Sequence, residues 1–158
     1  MLTADVIARP LTADDSDRVV AIDREHSGHS RRSFFEKRFA AAKAHPDDFI
    51  HLGVARGGNL CGFATARILR GEFGGKRNVA VLDGLGVAAG SQNQGLGRVL
   101  MAELTSRLRG LGIRTLQSQA VWTNHDLLRF LAAAGFELAP RLALQRPAQA
   151  LEEQSEEV

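Results

Sequence analysis

The segment Leu85-Gly86-Val87-Ala88-Ala89-Gly90-Ser91-Gln92-Asn93-Gln94-Gly95-Leu96-Gly97-Arg98 decides how this chain is read. Before it, residues 79–87 are rich in Val and Leu and read as a strand. After it, Leu96, Val99, Leu100, Leu104, Leu108 and Leu111 recur on one face of a helix over residues 95–109. Glu103 and Arg107 pair four apart on the other face, and Gly110 with Gly112 end the helix. A helix N-terminus presents backbone N–H groups without intrahelical acceptors, backed by the positive end of the macrodipole, and so attracts anions. Gly95 and Gly97 keep Cβ atoms out of a ligand's way there, although each costs about 1 kcal/mol against alanine in a helix interior. Two readings compete. Either the glycines shape the turn, with Ser91 and Gln94 as an ordinary capping box, or they let backbone amides hold a phosphate. Two familiar phosphate loops are excluded. There is no G-x-x-x-x-G-K-[ST], and Gly95-Leu96-Gly97 lacks the third glycine of the dinucleotide fingerprint. That fingerprint also wants an acidic residue about 20 positions on, where the chain offers Gln117 and Gln119.

Upstream, residues 5–9 are a short strand stopped by Pro10. Thr12 caps a helix with Asp14 and Asp15 in its first turn, and Val19, Val20 and Ile22 face inward. His26-Ser27-Gly28-His29-Ser30 breaks it. A second helix opens on Ser33 and Glu36 as a capping box and closes at Pro46. Residues 49–56 and 60–69 read as a hairpin turned by Gly57-Gly58-Asn59, and residues 71–75 as a longer turn. Downstream, residues 115–121 are a strand. Thr123 and Asp126 then open a helix ended by Gly135, with Phe136 folding back on Leu131 in a Schellman motif. Residues 142–144 make a last short strand. The order β-α-α-β-β-β-α-β-α-β predicts an α/β (α+β) fold, a mixed sheet with helices on its faces. No repeat or linker divides it. Residues 1–150 are expected to form one domain, and residues 151–158 a frayed acidic tail.

The chain of 158 residues is 44% apolar and 24% charged, an ordinary globular composition. At this size roughly 70% of the unfolded surface can be buried, so no metal or disulfide staple is needed. Its single cysteine, Cys61, offers no disulfide and no zinc cluster, and reads as a small buried hydrophobe. Apolar runs are too short to span a bilayer and residues 1–9 lack a signal-peptide core, so a soluble cytoplasmic protein without membrane contact is expected. Net charge is +2, but Glu152, Glu153, Glu156 and Glu157 leave +6 on the rest. Seventeen of the twenty basic residues are arginine, suited to planar carboxylate and phosphate partners. Without a dense basic stripe interleaved with aromatics, nucleic acid is not the expected partner. Trp122 reads as core.

Order and motif together resemble the GNAT superfamily of acetyl-CoA-dependent N-acyltransferases. Its pyrophosphate loop, Q/R-x-x-G-x-G/A, is matched by Gln92, Gly95 and Gly97, and the strand before it ends in a valine, matched by Val87. Asn124 followed by a helix and Gly135-Phe136 has the form of the family's next segment, and Arg9-Pro10-Leu11-Thr12 with Asp15 that of its opening. The resemblance covers residues 5–146 and implies a mostly antiparallel central sheet. It further implies that the backbone of Leu85, Gly86 and Val87 bonds the pantetheine arm of acetyl-CoA. Gln92, Asn93, Gln94, Gly95, Leu96, Gly97 and Arg98 would hold the pyrophosphate, and Asn124 would contact CoA. No metal is implied. The acceptor is an amine of unidentified kind: small amine, amino acid, antibiotic and protein N-terminus all stay open. Dimerisation is common in the family, and nothing in the sequence decides it.

Direct transfer needs a neutral amine and hence a base. Asp83 stands four residues before Val87, where several family members carry a glutamate base. Glu72, in the glycine-rich turn, is a second candidate. The family's general-acid tyrosine falls at Leu131 in a chain without tyrosine, so a thiolate of ordinary pKa about 8.5 would leave unprotonated or take its proton from solvent. The missing acid also admits a non-catalytic CoA-binding regulatory module as the alternative. His29, Arg31 and Arg32 lie where the family borders its acceptor site, and would suit an acceptor bearing a carboxylate or phosphate.

Overall fold

Four leucines one turn apart, Leu96, Leu100, Leu104 and Leu108, are buried along the helix α3 (Leu96–Gly110). The computed structural model describes residues 6–149. In it, α3 packs mainly on two strands of a five-stranded sheet that follows chain order: β1 (Val6–Pro10), β2 (Phe49–Arg56), β3 (Asn59–Arg70), β4 (Asn78–Val87) and β5 (Leu116–Ser118). The first four strands pair antiparallel, β2 with β3 and β3 with β4 through turns, and β1 with β2 across the two helices that separate them in sequence. β5 joins β4 in parallel, because α3 carries the chain back between them.

The other face belongs to α1 (Ser16–Ser27) and α2 (Arg32–Ala44). Val19, Val20, Ile22 and Phe35 from these helices close on Phe63 of β3, with the Phe35 and Phe63 rings edge to face at 5.5 Å. Phe63 thus faces α1 and α2, while its neighbour Gly62 backs onto Leu100 of α3. The sheet is covered on both sides.

The described chain divides into two compact units, one ending at Asn124 and the other beginning at His125. In the second, α4 (His125–Ala133) ends as its sequence predicts. Gly135 is left-handed at φ +93°, its N–H bonds the Ala132 carbonyl at 3.1 Å, and the Phe136 N–H bonds the Leu131 carbonyl at 2.9 Å.

Several local expectations are corrected. Residues 142–144 form no strand: Leu142 and Leu144 are 87% and 89% exposed, and two leucines in alternation make no strand without a partner. The strand expected over 115–121 shortens to Leu116–Ser118. Thr12 precedes a short 3-10 turn, Ala13–Asp15, before α1 begins. Arg31, not Ser33, holds the cap position of α2, and the Arg32 N–H donates to Ser30 Oγ at 3.3 Å. Trp122 is 82% exposed. Asp5 and the expected tail 151–158 lie outside the described residues. Among the described residues no helix is long and apolar enough to cross a membrane.

Candidate functional site

One extra residue in β4 sets the geometry of the site. β3 and β4 pair Ala66 with Leu82 and Thr65 with Gly84, so Asp83 is a bulge that opposes no residue of its own. Before the bulge, Ala80 and Leu82 turn their main-chain groups to β5: the Ala80 N–H bonds the Thr115 carbonyl at 3.0 Å, and Ser118 Oγ donates to the Leu82 carbonyl at 3.0 Å. Past it the alternation is offset by one. The Ala88 N–H bonds the Cys61 carbonyl at 2.8 Å, so Gly86 exchanges its bonds with Phe63, while Leu85 and Val87 direct theirs away from β3. Pairing with β5 stops at Leu82. Among the described residues, β4 therefore pairs with no strand from Asp83 to Val87 on its β5 side, which leaves an open edge there.

That edge leads to the loop before α3. Asn93 and Gly95 take left-handed φ values of +62° and +77°, which suit asparagine and glycine, and Gly95 becomes the N-cap. The first helical bond runs from the Val99 N–H to the Gly95 carbonyl at 3.2 Å, which leaves the N–H groups of Leu96, Gly97 and Arg98 for a ligand or water. Leu96 is buried and anchors the turn, whereas Gln92, Asn93, Gln94 and Arg98 are exposed. The sequence-predicted cofactor residues Leu85 through Arg98 thus form one continuous stretch, within which Gly86 faces inward. Asn124 sits before α4, its N–H bonded to the Val121 carbonyl at 2.8 Å.

Three contacts around this stretch join residues too far apart in sequence to be foreseen. His26 Nε2 donates to the Val87 carbonyl at 2.7 Å. The Ala89 N–H donates to Glu25 Oε2 at 2.8 Å. Arg56, at the end of β2, donates through Nη1 to Gln94 Oε1.

The two carboxylates named as bases part company. Asp83 is largely buried on the α2 side, where Thr65 Oγ1 donates to it at 2.9 Å. Arg38 Nε lies 3.0 Å from its Oδ2, an ion pair without hydrogen-bond alignment, since neither atom has a hydrogen-bond partner. Glu72 is exposed in the turn before Asn78, and about 16 Å of strand separates Asn78 from Asp83. The structure does not bring them together. His51 pairs with Thr65 across the sheet. Burial pushes its imidazole below the ordinary value, against the pull of Asp83 and with the push of Arg38.

The basic turn is committed internally. Arg31 grips buried Asp23 with two bonds of 2.9 and 2.6 Å and lies over the Phe34 and Phe35 rings. Arg32 pairs with Asp17 at 2.7 Å, and the exposed His29 bonds the main chain of Ser27 at 3.0 Å.

Residues 17–136 match the model of the acetyltransferase (GNAT) family. No curated protein matches the chain in sequence. Among solved structures, a transcriptional regulator from Bacillus halodurans C-125 superposes with a TM-score of 0.76 at 18% identity, covering 90% of this chain and 99% of that one. AAC(6′)-Iy in complex with the bisubstrate analogue CoA-S-monomethyl-acetylneamine gives 0.74 at 19%, covering 90% and 97%. The ribosomal-protein-S18-alanine N-acetyltransferase from Escherichia coli gives 0.68 at 22%, covering 85% and 79%. At these identities the likenesses show a shared fold.

Proposed function

The chain belongs to the GNAT acetyltransferase family and is an acyltransferase, and on that premise we propose that it transfers the acetyl group of acetyl-CoA to a primary amine by direct attack in a ternary complex. The observation that carries this reading is the open edge of β4 running from Asp83 to the free amides at the start of α3. An amide-bearing arm can bond the outward main-chain groups of Leu85 and the Val87 N–H as an added strand would, the Val87 carbonyl being already bonded by His26. The N–H groups of Leu96, Gly97 and Arg98 suit phosphate oxygens, with the Arg98 guanidinium as a further cation and Asn124 as a further contact.

With phosphates at the α3 end, the acyl end falls toward Asp83, where β5 rejoins β4. There the acceptor's neutral nitrogen bonds to the acyl carbon while the carbon–sulfur bond breaks and its electron pair leaves on sulfur. The proton lost by nitrogen passes to Asp83, directly or through water. The position of Asp83 supports this role over Glu72. Sulfur needs no protein acid, since a thiol of pKa about 8.5 is a tolerable anion near neutral pH. Leu131, at the family's tyrosine position, is buried and bonded into the Schellman turn.

Thermal unfolding with acetyl-CoA, CoA, NAD and ATP in parallel tests the reading, on wild type and Gly97→Glu. Ligand at 100 times its Kd adds about 2.7 kcal/mol, or several degrees of Tm in a chain of this size. The expected result is a shift with the two CoA species alone, absent from the variant, together with thiol release when amines are added. Binding without thiol release leaves a CoA-binding module, and no shift with CoA removes the reading.

A further inference from the structure

Across the α2-facing side of the sheet, beside Asp83, runs a row of polar side chains with an unequal charge balance. Resting on the acetyltransferase reading above, we propose that the acceptor amine also carries a carboxylate, and that Arg67 binds that carboxylate. Amino-acid chemistry fits this site, and polycationic amines do not.

Arg67 follows Thr65 by two residues on β3, so both project to the face that holds Asp83, Arg38 and His51. Thr65 and Arg67 are one strand repeat apart, about 7 Å. Phe49 and Val81 flank Arg67 across the sheet. Its Nε is buried without a hydrogen-bond partner, and among the described residues it is in no ion pair. A guanidinium in that state lacks the acceptor that its fork is shaped for.

The carboxylates on this side are already engaged. Asp83 faces the Arg38 guanidinium at 3.0 Å, its Oδ2 without a hydrogen bond, and accepts one from Thr65; Asp23 is bonded by both arms of Arg31. His51, whose Nε2 is also buried without a partner, brings no negative charge. One uncompensated positive charge remains, on Arg67. A polycation entering here finds Asp83 and Asp23 each already facing an arginine and meets like charge at Arg67, which selects against it. A carboxylate instead finds a bidentate partner whose buried Nε otherwise stays unsatisfied. The anion-recognising arginine therefore lies inside the sheet face and not in the turn at Arg31 and Arg32, where both guanidinia are paired.

The test measures acetyl transfer to the common amino acids, to their α-amides at matched free-amine concentration, and to neamine and spermidine. Wild type and Arg67→Gln are compared, and acetyl-CoA binding is followed by thermal shift. A carboxylate acceptor is expected to exceed its own amide in kcat/KM by at least about tenfold. Arg67→Gln should collapse that ratio toward one, chiefly through KM, while acetyl-CoA still raises Tm. Arg67→Lys, which keeps the charge and loses the fork, should recover part of the preference. Preference for neamine or spermidine overturns the proposal. So does an undiminished ratio in Arg67→Gln, or acetyl-CoA binding with no transfer to any carboxylate acceptor. Each of those leaves the acetyltransferase reading standing so long as some amine is acetylated, whereas binding without any transfer, or failure to bind acetyl-CoA, removes that reading itself.

Discussion

Arg31 and Asp23 join the start of α2 to the buried side of α1 through two charge-assisted hydrogen bonds, of 2.9 and 2.6 Å. Asp23 is almost wholly buried, while the Arg31 side chain stays 34% exposed. Asp23→Ala leaves the guanidinium over the Phe34 and Phe35 rings without its counter-charge. Removing one member of a fully buried pair costs 3–5 kcal/mol. Partial exposure of Arg31 lowers the expectation to about 2 kcal/mol. Urea titration of Asp23→Ala, Arg31→Ala and the double variant checks it: the double should cost less than the two singles together. Strict additivity would mean that the pair is not coupled.

Gly86 illustrates how a motif position can serve packing. Its bonds go to Phe63, and a Cβ there would stand 2.9 Å from the Phe63 ring and 3.1 Å from Ile22. Gly86→Ala should destabilise by about 1–3 kcal/mol through overpacking while the folded protein keeps its affinity for acetyl-CoA. A matched pair of Tm and Kd measurements decides. Loss of affinity at unchanged Tm would show that Gly86 acts on the ligand side instead.

How much of this was legible in the sequence depended on range. The leucine seam of α3, the Gly57-Gly58 hairpin and the Schellman turn at Gly135 depend on neighbours within a few positions. The hairpin and the turn formed as read, and the seam did so at Leu96, Leu100, Leu104 and Leu108, while Val99 and Leu111, expected on the same face, are exposed. The loop from Gln92 to Arg98 was readable for the same reason. Pairing register is not local. Nothing near Asp83 announces a bulge, because the bulge exists only against Thr65 and Ala66. The grip of His26 on Val87 spans 61 residues and that of Arg56 on Gln94 spans 38. Leu142 and Leu144 misled because a strand needs a partner that no short pattern reveals.

Two groups should give the stability profile two separate acid-side steps. Burial lowers the folded-state pKa of His51, so below about 6.5 the unfolded chain takes up a proton that the folded chain refuses. Stability is unaffected above that pH and falls below it until the lowered folded value is reached. Asp15 is also lowered, first by its hydrogen bond from Arg9, with burial opposing and the Thr12 N–H assisting. Its contribution is complete above about 3.9 and is lost as pH falls through the folded value. Denaturant titrations across pH should show His51→Gln flattening the first step and Asp15→Asn the second. Identical profiles in the variants would exclude these groups as the source.

Arg56 offers a way to separate loop order from loop chemistry. It reaches from the end of β2 to Gln94 Oε1, at the threshold of the amides of Leu96, Gly97 and Arg98. Arg56→Ala removes that tether and leaves those amides, Gly95 and the Leu96 anchor in place. An untethered loop must be ordered on binding, which weakens affinity without altering the reacting groups. The expected result is a several-fold rise in KM for acetyl-CoA with kcat nearly unchanged. The Tm of the free protein should move little, because the bond lies at the surface. A fall in kcat at constant KM would place the effect of Arg56 in the reaction itself, and no change in either would show that the loop holds its shape without the tether.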